Sequence, residues 1–114
     1  MSKTVLVADD ERDTSDFLKR ILERRGYKVS VSYDGVQAKK LLEKHSFDAV
    51  LLDCSMPGFT GLELIRFAKD KNPNTRFIIF SGYSAVDSRA ASDLGADKFL
   101  QKPLTVEAIE EALK

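Results

Sequence analysis

The sequence predicts an α/β fold, (βα)5, in which a parallel five-stranded sheet lies between two layers of helices. Three apolar runs are nearly continuous rather than alternating, which is typical of strands covered on both faces; they are Thr4–Ala8, Ala49–Leu52 and Phe77–Phe80. Each run is followed by a turn and by apolar residues at helical spacing, the alternation that favours parallel sheets. Lys28–Tyr33 alternates more and Lys98–Gln101 is short, so we expect these two segments to be the edge strands.

The first two helices have recognisable faces and ends. Apolar residues at i, i+3 and i+4 predict the buried stripe of the first helix, namely Phe17, Leu18, Ile21 and Leu22. Gly26 follows this helix and can adopt the left-handed conformation that ends it. Asp34 is suited to cap the second helix, whose predicted core face is Ala38, Leu41 and Leu42.

The remaining helices are predicted from similar signals. Thr60 and Glu63 have the spacing of a capping box, and Asn72-Pro73 ends the third helix. Ser84 to Asp87 repeats the capping pattern for a fourth helix, which ends at Leu94-Gly95. Thr105 begins a fifth helix that reaches Lys114 without a stop signal. We therefore expect residues 1–114 to form one domain, either standing alone or beginning a longer protein.

Length and composition limit the class of protein. At 114 residues the chain fits one domain with its own core. With 18 basic and 18 acidic residues its formal net charge is zero, so no bulk charge draws it to nucleic acid or to an anionic membrane. It contains no apolar stretch of membrane-spanning length. Cys54 is the single cysteine, which suits a reducing compartment. We expect a cytoplasmic protein that binds neither membranes nor nucleic acid directly.

Four strand ends carry polar residues of complementary chemistry. Asp9 and Asp10 end the first strand, Asp53 the third, Ser81 the fourth and Lys102 the fifth. In a parallel sheet these positions share the carboxyl edge, where open α/β sheets bind ligands. Three carboxylates suit a hard divalent cation, whereas a hydroxyl and an ammonium group suit the oxygens of a phosphoryl group.

Each of these residues also has an ordinary structural explanation. Asp9 or Asp10 could cap the following helix, since a carboxylate is favourable at the positive end of the helix dipole. Asp53 and Ser81 could simply open turns, and Lys102 could be a solvated surface lysine. The functional interpretation is favoured because four independent coincidences would otherwise fall on one edge of one sheet.

Other reactive residues are set aside. His45 lies near a helix end, where an imidazolium is mildly favourable, so any phosphate-donating histidine is expected on a partner. Cys54 adjoins acidic residues, which make its thiol a poorer nucleophile. The lysines of the pairs Lys39-Lys40 and Lys69/Lys71 are interpreted as solvated helix faces.

Several motifs together resemble one family. They are Val7–Asp10, Leu51–Gly61, Ser81-Gly82, Leu94–Asp97 and Phe99–Pro103. Over essentially its whole length the chain resembles the receiver domain of two-component response regulators, the CheY-like superfamily. The resemblance implies a doubly wound, flavodoxin-like sheet with strand order 2-1-3-4-5.

The resemblance also implies a phosphoryl-accepting metal site. Asp53 corresponds to the phosphoacceptor and Asp10 to a direct Mg²⁺ ligand. Asp9 corresponds to a ligand acting through water, and the backbone carbonyl of Ser55 to the remaining protein ligand. Mg²⁺ is therefore the expected cofactor.

Four further positions are assigned by the same resemblance. Ser81 corresponds to the hydroxyl that moves onto the phosphoryl group, and Lys102 to the lysine that pairs with it. Phe99 corresponds to the aromatic residue whose rotamer reports the switch. The Lys102–Pro103 peptide is a candidate for the cis form.

The implied function is a phosphorylation-dependent signalling switch rather than a turnover enzyme. The expected partners are a histidine kinase or a histidine phosphotransfer protein, which donates the phosphoryl group, and an output domain or partner protein. The face formed by the fourth helix, fifth strand and fifth helix is expected to transmit the signal, and to support a homodimer.

Two other functions stay open at this point. A Mg²⁺-dependent phosphohydrolase also uses an aspartyl phosphate, but it places a second aspartate where this chain has Ser55. A flavodoxin-like FMN module should offer hydroxyl and glycine donors to phosphate in the first turn. This chain has Asp9-Asp10-Glu11 there instead, which repels phosphate when no metal is bound.

Overall fold

The computed structural model describes residues 3–53, 61–81, 96–101 and 104–113, with the backbone alone for residues 61, 62, 81 and 101. The strands are β1 (Thr4–Ala8), β2 (Lys28–Ser32), β3 (Ala49–Asp53), β4 (Arg76–Ser81) and β5 (Lys98–Gln101). The helices are α1 (Arg12–Arg24), α2 (Gly35–Lys44), α3 (Gly61–Lys71) and a last helix, Val106–Leu113. The predicted fourth helix and the predicted cap at Thr60 lie outside the described residues.

The five strands form one parallel sheet, as the sequence predicts, in the order β2-β1-β3-β4-β5, which the family resemblance implies. The alternating segment and the short segment are the two edge strands, which confirms that expectation. β1 and β3 are direct neighbours in the middle of the sheet, with Ala8 beside Leu52. The residue that follows Ala8 therefore lies next to the last residue of β3, Asp53.

Both faces of the sheet are buried, because successive strand residues point to opposite sides. In β1, Leu6 and Ala8 pack on the side of α2 and α3, whereas Val5 and Val7 pack on the side of α1 and the last helix. All four are fully buried. Burial on both faces explains why the central strands have continuous apolar sequences. The apolar clusters on the two faces hold the sheet in place, and with it the carboxyl edge.

Helix ends follow the local chemistry expected from the sequence. Gly26 has φ of +93°, the left-handed conformation that ends α1 cheaply only at glycine. The Asp34 side chain accepts a hydrogen bond of 2.7 Å from the Gln37 backbone N–H and so caps α2. Thr105 Oγ1 accepts from the Ala108 N–H at 3.1 Å and caps the last helix in the same way. Among the described helices, none combines the length and the apolar character that crossing a membrane requires.

One expectation about helix surfaces is wrong, and another is incomplete. Phe17 was predicted in the buried stripe of α1, but 39% of it is exposed, and Ser15 occupies the buried face together with Leu18, Ile21 and Leu22. Lys71 is exposed, as predicted, but its ammonium group also donates a 2.7 Å hydrogen bond to the Leu42 carbonyl and another to that of Glu43. The Lys71 ammonium thus satisfies carbonyl groups at the carboxyl end of α2, where a positive charge is favourable.

Lys69 also has a specific partner. Its ammonium pairs with Asp97 Oδ2 at 3.2 Å, and the same carboxylate oxygen accepts a 2.7 Å hydrogen bond from the Phe77 N–H. The Asp97 N–H in turn donates to the Phe77 carbonyl at 2.8 Å. Asp97 therefore fastens the beginning of β5 to β4 and to α3.

Candidate functional site

The acidic residues predicted from the strand ends come together at the carboxyl edge. Because Ala8 of β1 lies beside Leu52 of β3, the chain positions of Asp9 and Asp53 are adjacent. Carboxylate oxygens of Asp9, Asp10 and Asp53 all lie within 4.8 Å of one another. Asp9 and Asp53 are 0% and 6% exposed, whereas Asp10 is exposed to solvent. The cluster therefore has a buried floor and an open side.

Asp9 is held in place through its backbone and its side chain. Its N–H donates to the Ser32 carbonyl of β2 at 3.1 Å, which continues the pairing of β1 one residue beyond the strand. Asp9 Oδ1 accepts from the Glu11 N–H at 2.9 Å, and its carbonyl accepts from Ser15 Oγ at 2.9 Å. Asp9 therefore also has a structural role, because one of its carboxylate oxygens orders the turn that leads into α1.

The electrostatics of the cluster favour a divalent cation. Negative charges at this separation repel one another, and the repulsion is stronger near a buried sheet than in bulk water. Oxygen donors of this kind are what hard cations such as Mg²⁺ and Ca²⁺ bind, and a bound cation offsets the repulsion. The donor set therefore fits a divalent metal ion.

The other predicted site residues are described only in part. Ser81 is the last residue of β4, one position beyond Phe80, which is the partner of Asp53 in the register. Ser81 therefore lies at the same edge as the acidic cluster, but its side chain is outside the described part of the structure. Ser55, Lys102 and Pro103 also lie outside the described residues.

Phe99 lies in β5 beside Ile79 of β4. Its side chain is partly buried and packs against the cluster on the α2 and α3 side of the sheet. This places Phe99 on an edge strand, away from the acidic cluster but connected to it through β4.

Sequence reasoning missed Ser15. Its hydroxyl contacts the backbone of the acidic pair, yet serine near a helix start is usually an unremarkable surface residue. A signal was present, because Ser15 lies three and seven residues before Leu18 and Leu22, on the same helical face. A polar residue at an apolar position of that face indicates a buried hydrogen bond.

An open cavity lies away from the acidic cluster. It has a volume of about 320 Å³ and lies at the amino edge of the sheet, with Lys3, Asp48 and Arg76 among its lining residues. The acidic cluster lies at the opposite edge, where open α/β sheets bind ligands.

The comparisons with known proteins agree with this geometry. The family model for the response regulator receiver domain matches residues 5–114. The response regulator MprA of Mycobacterium ulcerans (strain Agy99) is 34% identical over 110 residues, covering 96% of this chain and 47% of the relative. The chain spans about half the length of the curated relatives that it matches.

Two solved structures are similar over nearly the whole chain. One is a response regulator protein from Burkholderia pseudomallei with a phosphorylated aspartic acid, calcium ion and citrate; it has a TM-score of 0.91, 35% identity, and coverage of 99% of this chain and 67% of the other. The other is the beryllofluoride-activated NtrC4 receiver domain dimer, with a TM-score of 0.89, 33% identity, and coverage of 96% and 92%.

Strand order, the acidic cluster and the family match lead to the same assignment. The two alternative interpretations, a phosphohydrolase and a flavin carrier, have no comparable support. The chain belongs to the response regulator receiver domain family.

Proposed function

We propose that this chain is a phosphorylation-dependent signalling switch that accepts a phosphoryl group on Asp53. The observation that carries the proposal is the convergence of Asp9, Asp10 and Asp53 within 4.8 Å at the carboxyl edge of the sheet, in a chain of the receiver family. Two of these carboxylates are buried against the sheet, and the third faces solvent, from which a phosphodonor would approach.

Asp53 is the proposed nucleophile because it ends a central strand at the open edge. An oxygen of its carboxylate attacks the phosphorus atom of a phosphohistidine. The phosphorus–nitrogen bond of the donor breaks, and the released imidazole retains the electron pair and takes up a proton. The product is a mixed anhydride, the aspartyl phosphate, which reacts with water to release inorganic phosphate and regenerate the carboxylate.

Mg²⁺ is the proposed cofactor, with Asp10 and Asp53 as direct ligands, the Ser55 carbonyl as a further ligand and Asp9 acting through water. When bound, the metal ion offsets the negative charge of the carboxylates and of the incoming phosphoryl oxygens. The contacts of Asp9 support its indirect role, since Oδ1 already accepts the Glu11 N–H. The calcium ion and the phosphorylated aspartic acid of the Burkholderia protein support the same chemistry.

The signal is proposed to pass through Ser81, Lys102 and Phe99. The Ser81 hydroxyl and the Lys102 ammonium group bind phosphoryl oxygens, with Pro103 in the cis form directing the chain at Lys102. Movement of Ser81 leaves space into which the Phe99 ring turns, so the inward ring and the phosphorylated state stabilise each other. The partial burial of Phe99 on an edge strand supports this role, because a rotamer change there displaces few neighbours.

The proposed partners follow from this role. A histidine kinase or a histidine phosphotransfer protein donates the phosphoryl group, and an output domain or separate protein reads the face that contains β5 and the last helix. The dimer named for the NtrC4 receiver domain supports a homodimer, and the proposal places its interface at the face of the predicted fourth helix, β5 and the last helix. The domain would be part of a longer response regulator or stand alone, and a cytoplasmic location is part of the proposal.

The test is phosphorylation of the purified protein by acetyl phosphate and Mg²⁺, followed by intact-mass analysis. We expect one added phosphoryl group in the wild type and none in Asp53→Asn or in the presence of EDTA. Asp48→Asn is the matched control, because Asp48 immediately precedes β3 at the opposite edge of the sheet. Equal labelling of Asp53→Asn and the control would overturn the proposal.

A further inference from the structure

Ser15 is a polar residue on the buried face of α1. It is 0% exposed and lies in line with the core residues Leu18 and Leu22, which contact the sheet. Removing a hydroxyl group from water is unfavourable unless the hydroxyl forms a hydrogen bond. A serine at this position therefore needs a hydrogen-bond partner, whereas an apolar residue would need none.

The explanation lies in the backbone of the acidic pair. Ser15 Oγ donates a 2.9 Å hydrogen bond to the carbonyl oxygen of Asp9. That carbonyl belongs to the peptide group that joins Asp9 to Asp10. Because the peptide group is planar, its orientation is set by ψ of Asp9 and φ of Asp10, the two dihedral angles that relate the side-chain directions of Asp9 and Asp10 to each other.

Other contacts fix the neighbouring groups. The Asp9 N–H is bonded to Ser32 of β2, and its carboxylate is bonded to the Glu11 N–H. These bonds hold Asp9 to the sheet and to the turn. The Ser15 bond adds a connection from the body of α1 to the peptide group between the two acidic residues.

We propose that Ser15 is a positioning residue of the metal site: its buried hydroxyl holds the Asp9–Asp10 peptide group in the orientation that directs both carboxylates toward one cation. The inference rests on the proposed function, in which these carboxylates bind Mg²⁺. Ser15 does not touch the metal ion. Its effect is to reduce the reorganisation that binding requires, as outer-shell hydrogen bonds do in other metal sites.

A purely structural role makes a different prediction. If Ser15 were present only because a small residue fits under α1, alanine would serve equally well for metal binding, and any loss would appear in stability alone. The chain offers a matched control for that case. Thr75 is 3% exposed, and its hydroxyl donates a 2.8 Å hydrogen bond to the Phe47 carbonyl at the amino edge of the sheet. Thr75→Val removes the same kind of bond far from the acidic cluster.

The experiment compares wild type, Ser15→Ala and Thr75→Val by calorimetric titration with Mg²⁺ and by thermal melting in EDTA and in saturating Mg²⁺. We expect both variants to melt at lower temperature than the wild type in EDTA. Ser15→Ala should bind Mg²⁺ about tenfold more weakly, the lower end of the loss typical for outer-shell partners. Thr75→Val should bind Mg²⁺ as the wild type does. The rise in melting temperature caused by subsaturating Mg²⁺ should be smaller in Ser15→Ala alone, by linkage.

The outcomes separate the two proposals. A wild type that does not bind Mg²⁺ contradicts the proposed function. Wild-type affinity in Ser15→Ala, with normal Mg²⁺ binding by the wild type, overturns the role of Ser15 and leaves the proposed function standing. Equal weakening in Ser15→Ala and Thr75→Val also overturns it, because the loss would then follow from general destabilisation.

Discussion

Neutralising Asp10 should stabilise the protein when no metal ion is bound. Its carboxylate lies within 4.8 Å of those of Asp9 and Asp53, so the metal-free protein holds three negative charges at short range. Unfolding moves Asp53 away from Asp9 and Asp10 and so relieves the repulsion between them. Asp10→Asn keeps the size of the side chain and removes one charge from the cluster.

The magnitude follows from Coulomb's law at the upper limit of the separation. Two unit charges 4.8 Å apart repel by about 0.9 kcal/mol in water and by about 3.5 kcal/mol at an effective dielectric constant of 20. Asp10 is exposed, so the lower figure applies, and its two neighbours give about 2 kcal/mol at low ionic strength. For a domain of this size, that change raises the melting temperature by about 8 °C at low ionic strength and by less at physiological salt.

The assay is thermal melting followed by circular dichroism, with EDTA or with excess Mg²⁺. Asp10→Asn should melt above the wild type in EDTA, and excess Mg²⁺ should raise the melting temperature of the wild type far more than that of the variant. Asp70→Asn removes the same charge from an exposed position on α3 and serves as the control. A lower melting temperature for Asp10→Asn in EDTA would refute the reasoning and indicate a structural role for this carboxylate.

Three further predictions concern stability in urea denaturation, each compared with the wild type. Asp34→Ala removes the cap of α2 and should lower the free energy of unfolding by about 1 kcal/mol; no change would mean that water replaces the cap at no cost. Lys71→Met keeps the apolar stem but loses the charged hydrogen bonds to the end of α2, so a loss of about 1–2 kcal/mol is expected, whereas Lys40→Met on the exposed face of α2 should change little. Glu110→Gln removes the Arg25 ion pair, whose side chains are 38% and 43% exposed, and should cost less than about 1 kcal/mol; a loss above about 2 kcal/mol would show that this pair is coupled to the core.

The sheet could be predicted from sequence because its signals are local. Strands buried on both faces need apolar residues at successive positions, and residues 5–8 of β1 and 49–52 of β3 meet that need. The meeting of Asp9, Asp10 and Asp53 followed from the same step, since strand ends of a parallel sheet share an edge. No knowledge of side-chain packing was required.

The predictions from sequence fail where contacts between distant segments determine the position of a side chain. Phe17 matched the apolar spacing of α1, but the rotation of the helix about its axis places Ser15 on the buried face instead. That rotation depends on how α1 meets β1 and β2, and apolar spacing alone did not decide between Phe17 and the polar Ser15. The hydrogen bonds of Lys71 were missed for a related reason, because its partners are carbonyls of a different helix, 28 and 29 residues away in the sequence. A lysine at a helix end shows the same local sequence pattern whether its side chain contacts solvent or a neighbouring helix.

The contacts of Asp97 secure one end of β5 more strongly than strand pairing alone would. This strand is four residues long and pairs with β4 on one side only. At its amino end, the backbone N–H and the carboxylate of Asp97 both form hydrogen bonds with the Phe77 backbone, and Lys69 of α3 forms an ion pair with the same carboxylate. At its amino end β5 thus has a charged and hydrogen-bonded attachment in addition to its pairing with β4, which continues to Gln101 opposite Ser81. The end with the additional attachment lies at the amino edge of the sheet, and the other end lies at the edge that holds the acidic cluster.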